Sequence, residues 1–293
     1  MSTNHVALIS QTEQVKLGQL ALVSAALQKQ VTRDFSPIWE IKATVDVFEK
    51  LSDVPLGYWP IIIIDDSKDI PEDADGIHKN KDNGQPFALV RATPDWVLSA
   101  SHECLEMLAD PSGNRTIAGN SVKRRQGRVE YLVEVCDPCQ SKRFGYSVNG
   151  VLVCDFYTPD YFAPVQASGV RYSFQGAIKR PRQVLDGGYL SWFDPESKHI
   201  FQLLVDGRSK NFADLGEKPD SGDNLRSFTD RATAKVRRAA LKGKVPAHLL
   251  LTAALTTRAG RARESAPAPS RLDESVNASA ASLQTQIETL IAH

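Results

Sequence analysis

Trp59-Pro60-Ile61-Ile62-Ile63-Ile64 is the most constraining stretch of this chain. β-branched side chains are stiff at χ1, which disfavours a helix and suits a pleated strand. An unbroken apolar run has no polar face to give to water, so a strand over Trp59 to Asp65 must be covered on both sides. The chain offers material for that cover. Leu17, Leu20, Ser24, Leu27 and Val31 recur at helical spacing across Val15 to Val31, which predicts an amphipathic helix. A further strand is expected from Pro37-Ile38-Trp39 through Val47 and Phe48, and a short one over Phe87 to Arg91. Asp66 to Asp75 reads as an acidic loop, and Lys79 to Gly84 carries turn chemistry. The expected fold is α+β: a mixed sheet with helices packed on it.

Thr93-Pro94-Asp95 has the chemistry of a helix start, with Thr93 as cap and Pro94 in the first turn. The predicted helix runs from about Asp95 to Ala109 and stops at Asp110-Pro111. It carries His102-Glu103-Cys104-Leu105-Glu106. Positions i and i+4 share a helix face, so His102 and Glu106 can grip one metal ion. Glu103, one step round, can reach a metal-bound water as general base, as the Glu of an H-E-x-x-H helix does. Here a carboxylate replaces the second imidazole. Carboxylate is a zinc ligand, so Zn²⁺ is the first expectation; oxygen donors also suit Mn²⁺ or Fe²⁺.

A catalytic site needs a third protein ligand. Candidates stand in Tyr131-Leu132-Val133-Glu134-Val135-Cys136-Asp137-Pro138, read as a strand over Val129 to Cys136 that ends in a turn. Regular alternation would put Glu134 and Asp137 on opposite faces, one as ligand and the other as support for His102. Asp110 is the remaining candidate. Ser112 to Arg128 reads as a basic loop, and Val151 to Phe156 as another strand.

With Ser101 ahead of it and Asp110-Pro111 behind it, the helix resembles the S-H-E-x-x-E-x-x-x-[DN]-P signature of zincin-like bacterial and phage proteins. It is also similar to the corresponding helix of the plant phosphate-induced, EXORDIUM-like family. Glu134-Val135-Cys136-Asp137 fits the later E-[IV]-x-D element, and Gly76-Ile77-His78 with Gly84-Gln85-Pro86 fits a strand ahead of the helix. The resemblance spans roughly Trp59 to Phe162. It implies a zincin-like domain and metal-dependent peptide hydrolysis acting on a peptide or protein. The alternative is a catalytically silent zincin-like binding or assembly protein of phage or prophage origin.

Other features are read more plainly. Phe87 to Arg91, just before the motif helix, is either the cleft-side edge of the sheet or a core strand. His78 reads as a solvated loop residue and Tyr189 as packing. Cys136-x-x-Cys139 reads as reduced thiols beside a turn; a four-thiolate site with Cys154 and Cys104 lacks a second paired motif. Lys and Arg number 35, as do Asp and Glu. This balance gives no general attraction to nucleic acid or anionic membrane, so neither is expected as a partner. The basic stretch Arg226 to Lys244 reads as a helix with a solvated face. Four Cys and no visible targeting segment suit a cytoplasmic protein. The expected organisation is a domain over residues 1–220, a basic helical extension over 221–259 and a flexible tail over 260–293, with a short terminal helix over Leu283 to Ile291.

Overall fold

The computed structural model describes residues 2–67, 69–71, 74–81, 83–218 and 224–241. The expected tail over 260–293, with its terminal helix, and the extension beyond residue 241 lie outside the described residues.

The Ile run sits in β3 (Trp59–Ile64) of a five-stranded sheet. Its neighbours are β1 (Asn4–Ser10), β2 (Ala43–Val47), β4 (Gly76–Asn80) and β5 (Pro86–Arg91), in the order β2-β1-β3-β5-β4. All neighbouring pairs are parallel except β4 with β5, so the edge strand runs against the rest. Ile61 and Ile63 are fully buried and Ile62 nearly so, which meets the two-sided cover the sequence demands. β5 is therefore interior, and β4 is the edge beside the motif helix. Of the two readings of Phe87 to Arg91, cleft-side edge or core strand, the structure has the core strand.

Helix α1 (Leu17–Lys29) buries Leu20, Val23, Ala26 and Leu27 and runs on through a π-helical turn, Gln30–Phe35. Where a strand was expected from Pro37, the chain forms the single turn α2 (Ser36–Trp39), ended by Glu40 at φ 55°. Pro37 has no N–H to donate, and the Glu40 amide closes the turn on the Ser36 carbonyl. Extended structure begins only at Ala43.

Helix α3 (Trp96–Ala109) follows β5. It starts just after Pro94, and the Trp96 amide bonds the Thr93 carbonyl rather than a side-chain cap. The segment expected as a loop over Ser112 to Arg128 contains β6 (Thr116–Asn120), paired with β7 (Arg128–Leu132). The small hairpin β8 (Tyr146–Val148) and β9 (Val151–Val153) turns at Asn149-Gly150, both at positive φ, as a two-residue hairpin turn requires. With β10 (Tyr189–Phe193), β11 (His199–Asp206) and β12 (Ser209–Glu217), β6 and β7 form an antiparallel sheet ordered β12-β11-β10-β7-β6.

β11 alternates. Phe201, Leu203 and Val205 join the main core, while Ile200 and Leu204 join Ala213 and Leu215 on the opposite face. Leu225, Phe228 and Ala232 of α4 (Leu225–Leu241) cover that second face. Among the described residues no helix is long and apolar enough to cross a membrane. Helix and sheet are mixed, as the α+β expectation requires.

Candidate metal centre

α3 is a core helix. Eleven of its residues are buried, among them the polar Ser101, Glu103 and Glu106. Buried polar groups need partners, and the partners found here define the site.

Glu106 is fully buried. Its Oε1 accepts the Cys136 amide at 3.1 Å and lies 3.3 Å from His102 Nε2. One helical turn thus brings imidazole and carboxylate together, as the spacing predicts. Asp137 enters from a 3₁₀ turn (Asp137–Cys139), with Oδ1 3.2 Å from His102 Nε2. That approach is close but not aligned for hydrogen bonding. Among the described residues, neither Asp137 oxygen has a hydrogen-bond partner, although both are buried. One donor atom each from His102, Glu106 and Asp137 lies within 4.8 Å of the others. An imidazole, a carboxylate and a second carboxylate with idle oxygens suit a divalent cation.

Alternation does not decide between Glu134 and Asp137. β7 stops at Leu132, before either acid, and the chain bends at Val135 and Cys136 ahead of Asp137. Asp137 goes to His102. Glu134 instead holds Arg226, Oε1 to Nη1 at 2.8 Å. Asp110 takes no part in the cluster. Its oxygens fold the following loop, accepting the Ser112 hydroxyl and the Asn114 and Arg115 amides.

Glu103 is also buried, and its Oε2 meets His78 Nδ1 at 3.1 Å. His78 is not a loop residue: it lies in β4 and is 3% exposed. Gly76 and His78 are two apart on one strand and so point to one face. Gly76 leaves the room Glu103 needs, since a Cβ there would lie 2.9 Å from Glu103 Oε1. The pattern Gly-x-His ahead of the helix was the signal for this pairing. His78, Glu103 and Glu106 form a second group of converging donors beside the first.

Arg226 of α4 was read as part of a solvated basic face. It is 5% exposed, and its Nη1 lies 2.7 Å from Glu106 Oε2 as well as 2.8 Å from Glu134. Its Nε reaches Asp230 one turn on, at 3.2 Å. Only long-range packing places it there, and nothing near residue 226 in the sequence announces it.

Buried acids outnumber their cations, and the protonation states follow. Burial works against the charge on Glu106, yet His102 and Arg226 hold its carboxyl far below the usual range. Burial also opposes protonated His102, but the Glu106 and Asp137 carboxylates outweigh it and raise the imidazole well above its ordinary value. Glu134 is pushed well up by burial, which Arg226 only partly offsets. Asp137 is raised by burial and by the charge on Glu106. Without a further cation the cluster has to keep protons.

All four cysteines are buried and free. The four-thiolate grouping does not form among the described residues. Instead Cys136 and Cys154 converge with His102, one donor atom of each within 4.8 Å of the others. Tyr189 packs against the Ile200 cluster, as expected.

No family model, no curated protein and no solved structure matches this chain.

Proposed function

We propose that this chain is a metal-dependent peptide-bond hydrolase built on a zincin-like domain. The supporting arrangement is an H-E-x-x-E helix that follows a mixed sheet and lies beside its antiparallel edge strand. The observation that carries the reading is Asp137: two buried oxygens without hydrogen-bond partners among the described residues, one of them 3.2 Å from His102 Nε2. A buried carboxylate is costly unless cations or a proton compensate it, and His102 meets one of the two oxygens.

His102, Glu106 and Asp137 would hold the ion, zinc first and Mn²⁺ or Fe²⁺ as alternatives, which when bound polarises a carbonyl and acidifies water. Glu103 takes the proton of the attacking water and gives it to the leaving amine. His78, against Glu103 Oε2, fixes the carboxyl and leaves Oε1 for that transfer. The open side of β4 offers main-chain groups to an extended peptide, adding it as a further strand.

The test is a zinc titration of the full chain with cleavage of a peptide library. One ion per chain should be retained and should be lost in His102→Ala and Asp137→Asn. Glu103→Gln should keep the ion and lose cleavage by about 10²-fold or more. Full cleavage in Glu103→Gln removes Glu103 as the base, and failure of every form to hold an ion removes the reading. The second reading, a zincin-like domain serving as a binding or assembly protein, draws on the Arg226 contact, which supplies a cation without metal. A chain that holds no ion and cleaves nothing would favour it.

A further inference from the structure

The hydrolase reading leaves Arg226 without a task, and the contacts that bring it to the site are elaborate. Asn224 caps α4 by accepting the Ser227 amide, and its side-chain amide donates to Asn80 Oδ1 at 2.9 Å and to the Ser112 carbonyl at 3.0 Å. The Leu225 amide donates to Asn114 Oδ1, and the Arg226 amide to the Gly113 carbonyl, both at 2.9 Å. The receiving loop is the one Asp110 folds at the end of the motif helix. Gly113 has φ 65°, and a Cβ there would lie 2.5 Å from the Asn224 side chain. Only glycine accepts that conformation without strain and leaves room for the cap. Leu225, Phe228 and Ala232 then seal α4 against β11 and β12.

With α4 docked, most of the cluster is closed, and His102 keeps 12% of its side chain exposed. Glu106 and Asp137 are fully buried, Glu103 and His78 are 3% exposed, and Glu134 is 6% exposed. No peptide bond reaches atoms so covered. The guanidinium also presses on any ion at His102, because like charges a few ångströms apart in a poorly hydrated site repel strongly. Asp230 shares α4 with Arg226 and moves with it. Arg226 therefore leaves the cluster already paired, so its withdrawal does not strand the guanidinium without a counter-charge.

We propose that α4 is an autoinhibitory latch: Arg226 is an internal cation seated on Glu106 and Glu134, and metal and peptide gain the site when the first turn of α4 lifts off. This rests on the metal-site reading, and the measurements below separate the two.

The first is amide hydrogen exchange of the full-length protein with and without saturating Zn²⁺. The latch requires Leu225 to Thr229 to lose protection, at least about tenfold, when zinc binds. The second is the zinc dissociation constant, by competition with a chromophoric chelator. Arg226→Gln should bind zinc at least roughly thirtyfold more tightly than the parent, a change of about 2 kcal/mol, and Arg226→Lys should return towards the parent value. Asn224→Ala loosens the docking without touching a charge in the cluster, and it should tighten zinc binding in the same direction if Arg226→Gln does not fold. Zinc bound with α4 still protected, or Asn224→Ala binding no more tightly than the parent, overturns the latch and leaves the metal site standing. No zinc bound by the parent or by any of the three variants overturns both.

Discussion

Ser101→Ala tests the frame that holds the motif helix in place. Ser101 is fully buried one residue before His102. Its hydroxyl donates to Gln30 Oε1 at 2.9 Å and accepts the Cys154 amide at 2.9 Å. Gln30 Nε2 donates in turn to the Cys154 carbonyl, also at 2.9 Å. The π-helical turn, α3 and the end of β9 are thus joined through one oxygen. Alanine fits the space but leaves a buried amide N–H and a buried amide oxygen without that partner. Each group costs about 1–3 kcal/mol, so the loss should be roughly 2–6 kcal/mol. For a domain of this size that lowers the melting temperature by about 5–15 °C. Equilibrium urea unfolding, followed by tryptophan fluorescence at fixed slope, measures it. Gln30→Met added to Ser101→Ala should cost at least about 1 kcal/mol less than the sum of the two, because the groups share one network. A Ser101→Ala loss below about 1 kcal/mol, or strict additivity in the pair, would refute the reasoning.

Two further outcomes follow from the charges. Burial raises Asp155 from 3.8 to about 6, so the folded form keeps a proton that the unfolded chain has already lost. The sign is the reverse of an ion-paired acid: stability is greatest below about pH 4 and falls as pH rises to about 6, by about 3 kcal/mol. Asp155→Asn should flatten that part of the stability curve, and an unchanged slope would show that another group carries it. At pH 7, zinc binding should release at least about one proton per ion, because His102 is held protonated by its carboxylate neighbours and Glu134 is pushed well up by burial. Calorimetry in buffers of different ionisation enthalpy measures the release, and binding without proton release contradicts the assigned ligands.

The parts legible in the sequence are those set by local pattern. The Ile run announced a strand covered on both faces, and the i, i+4 spacing brought His102 to Glu106. The later acidic element reached the cluster through Asp137, though not by strand alternation, since β7 had already ended. The misreadings have physical causes. β1 (Asn4–Ser10) carries no distinct signal, because a buried apolar run of this length has no periodicity to separate strand from helix. Asn149-Gly150 did carry a hairpin signal. The acidic, turn-rich flanks of β4 give His78 the look of a loop residue, although the resemblance placed Gly76-x-His78 on a strand ahead of the helix. Arg226 was beyond reach: an alanine-rich basic helix has the same composition whether its arginine meets water or fills an acid pocket. Gly260 to Ala281 and Leu283 to Ile291 lie outside the described residues.

The position of β1 has a consequence for how the domain comes into being. It is flanked by β2 and β3, with Asn4 opposite Ala43 and Val6 opposite Trp59. Translation therefore makes the strand before either of its mates exists. No local hairpin can shelter it, and parallel pairing across long connections is slow to form. The first sheet closes around an element that has been waiting, apolar and unpaired, since its synthesis. The stretch from Val6 to Ile9 is where a nascent chain of this protein most needs protection from aggregation.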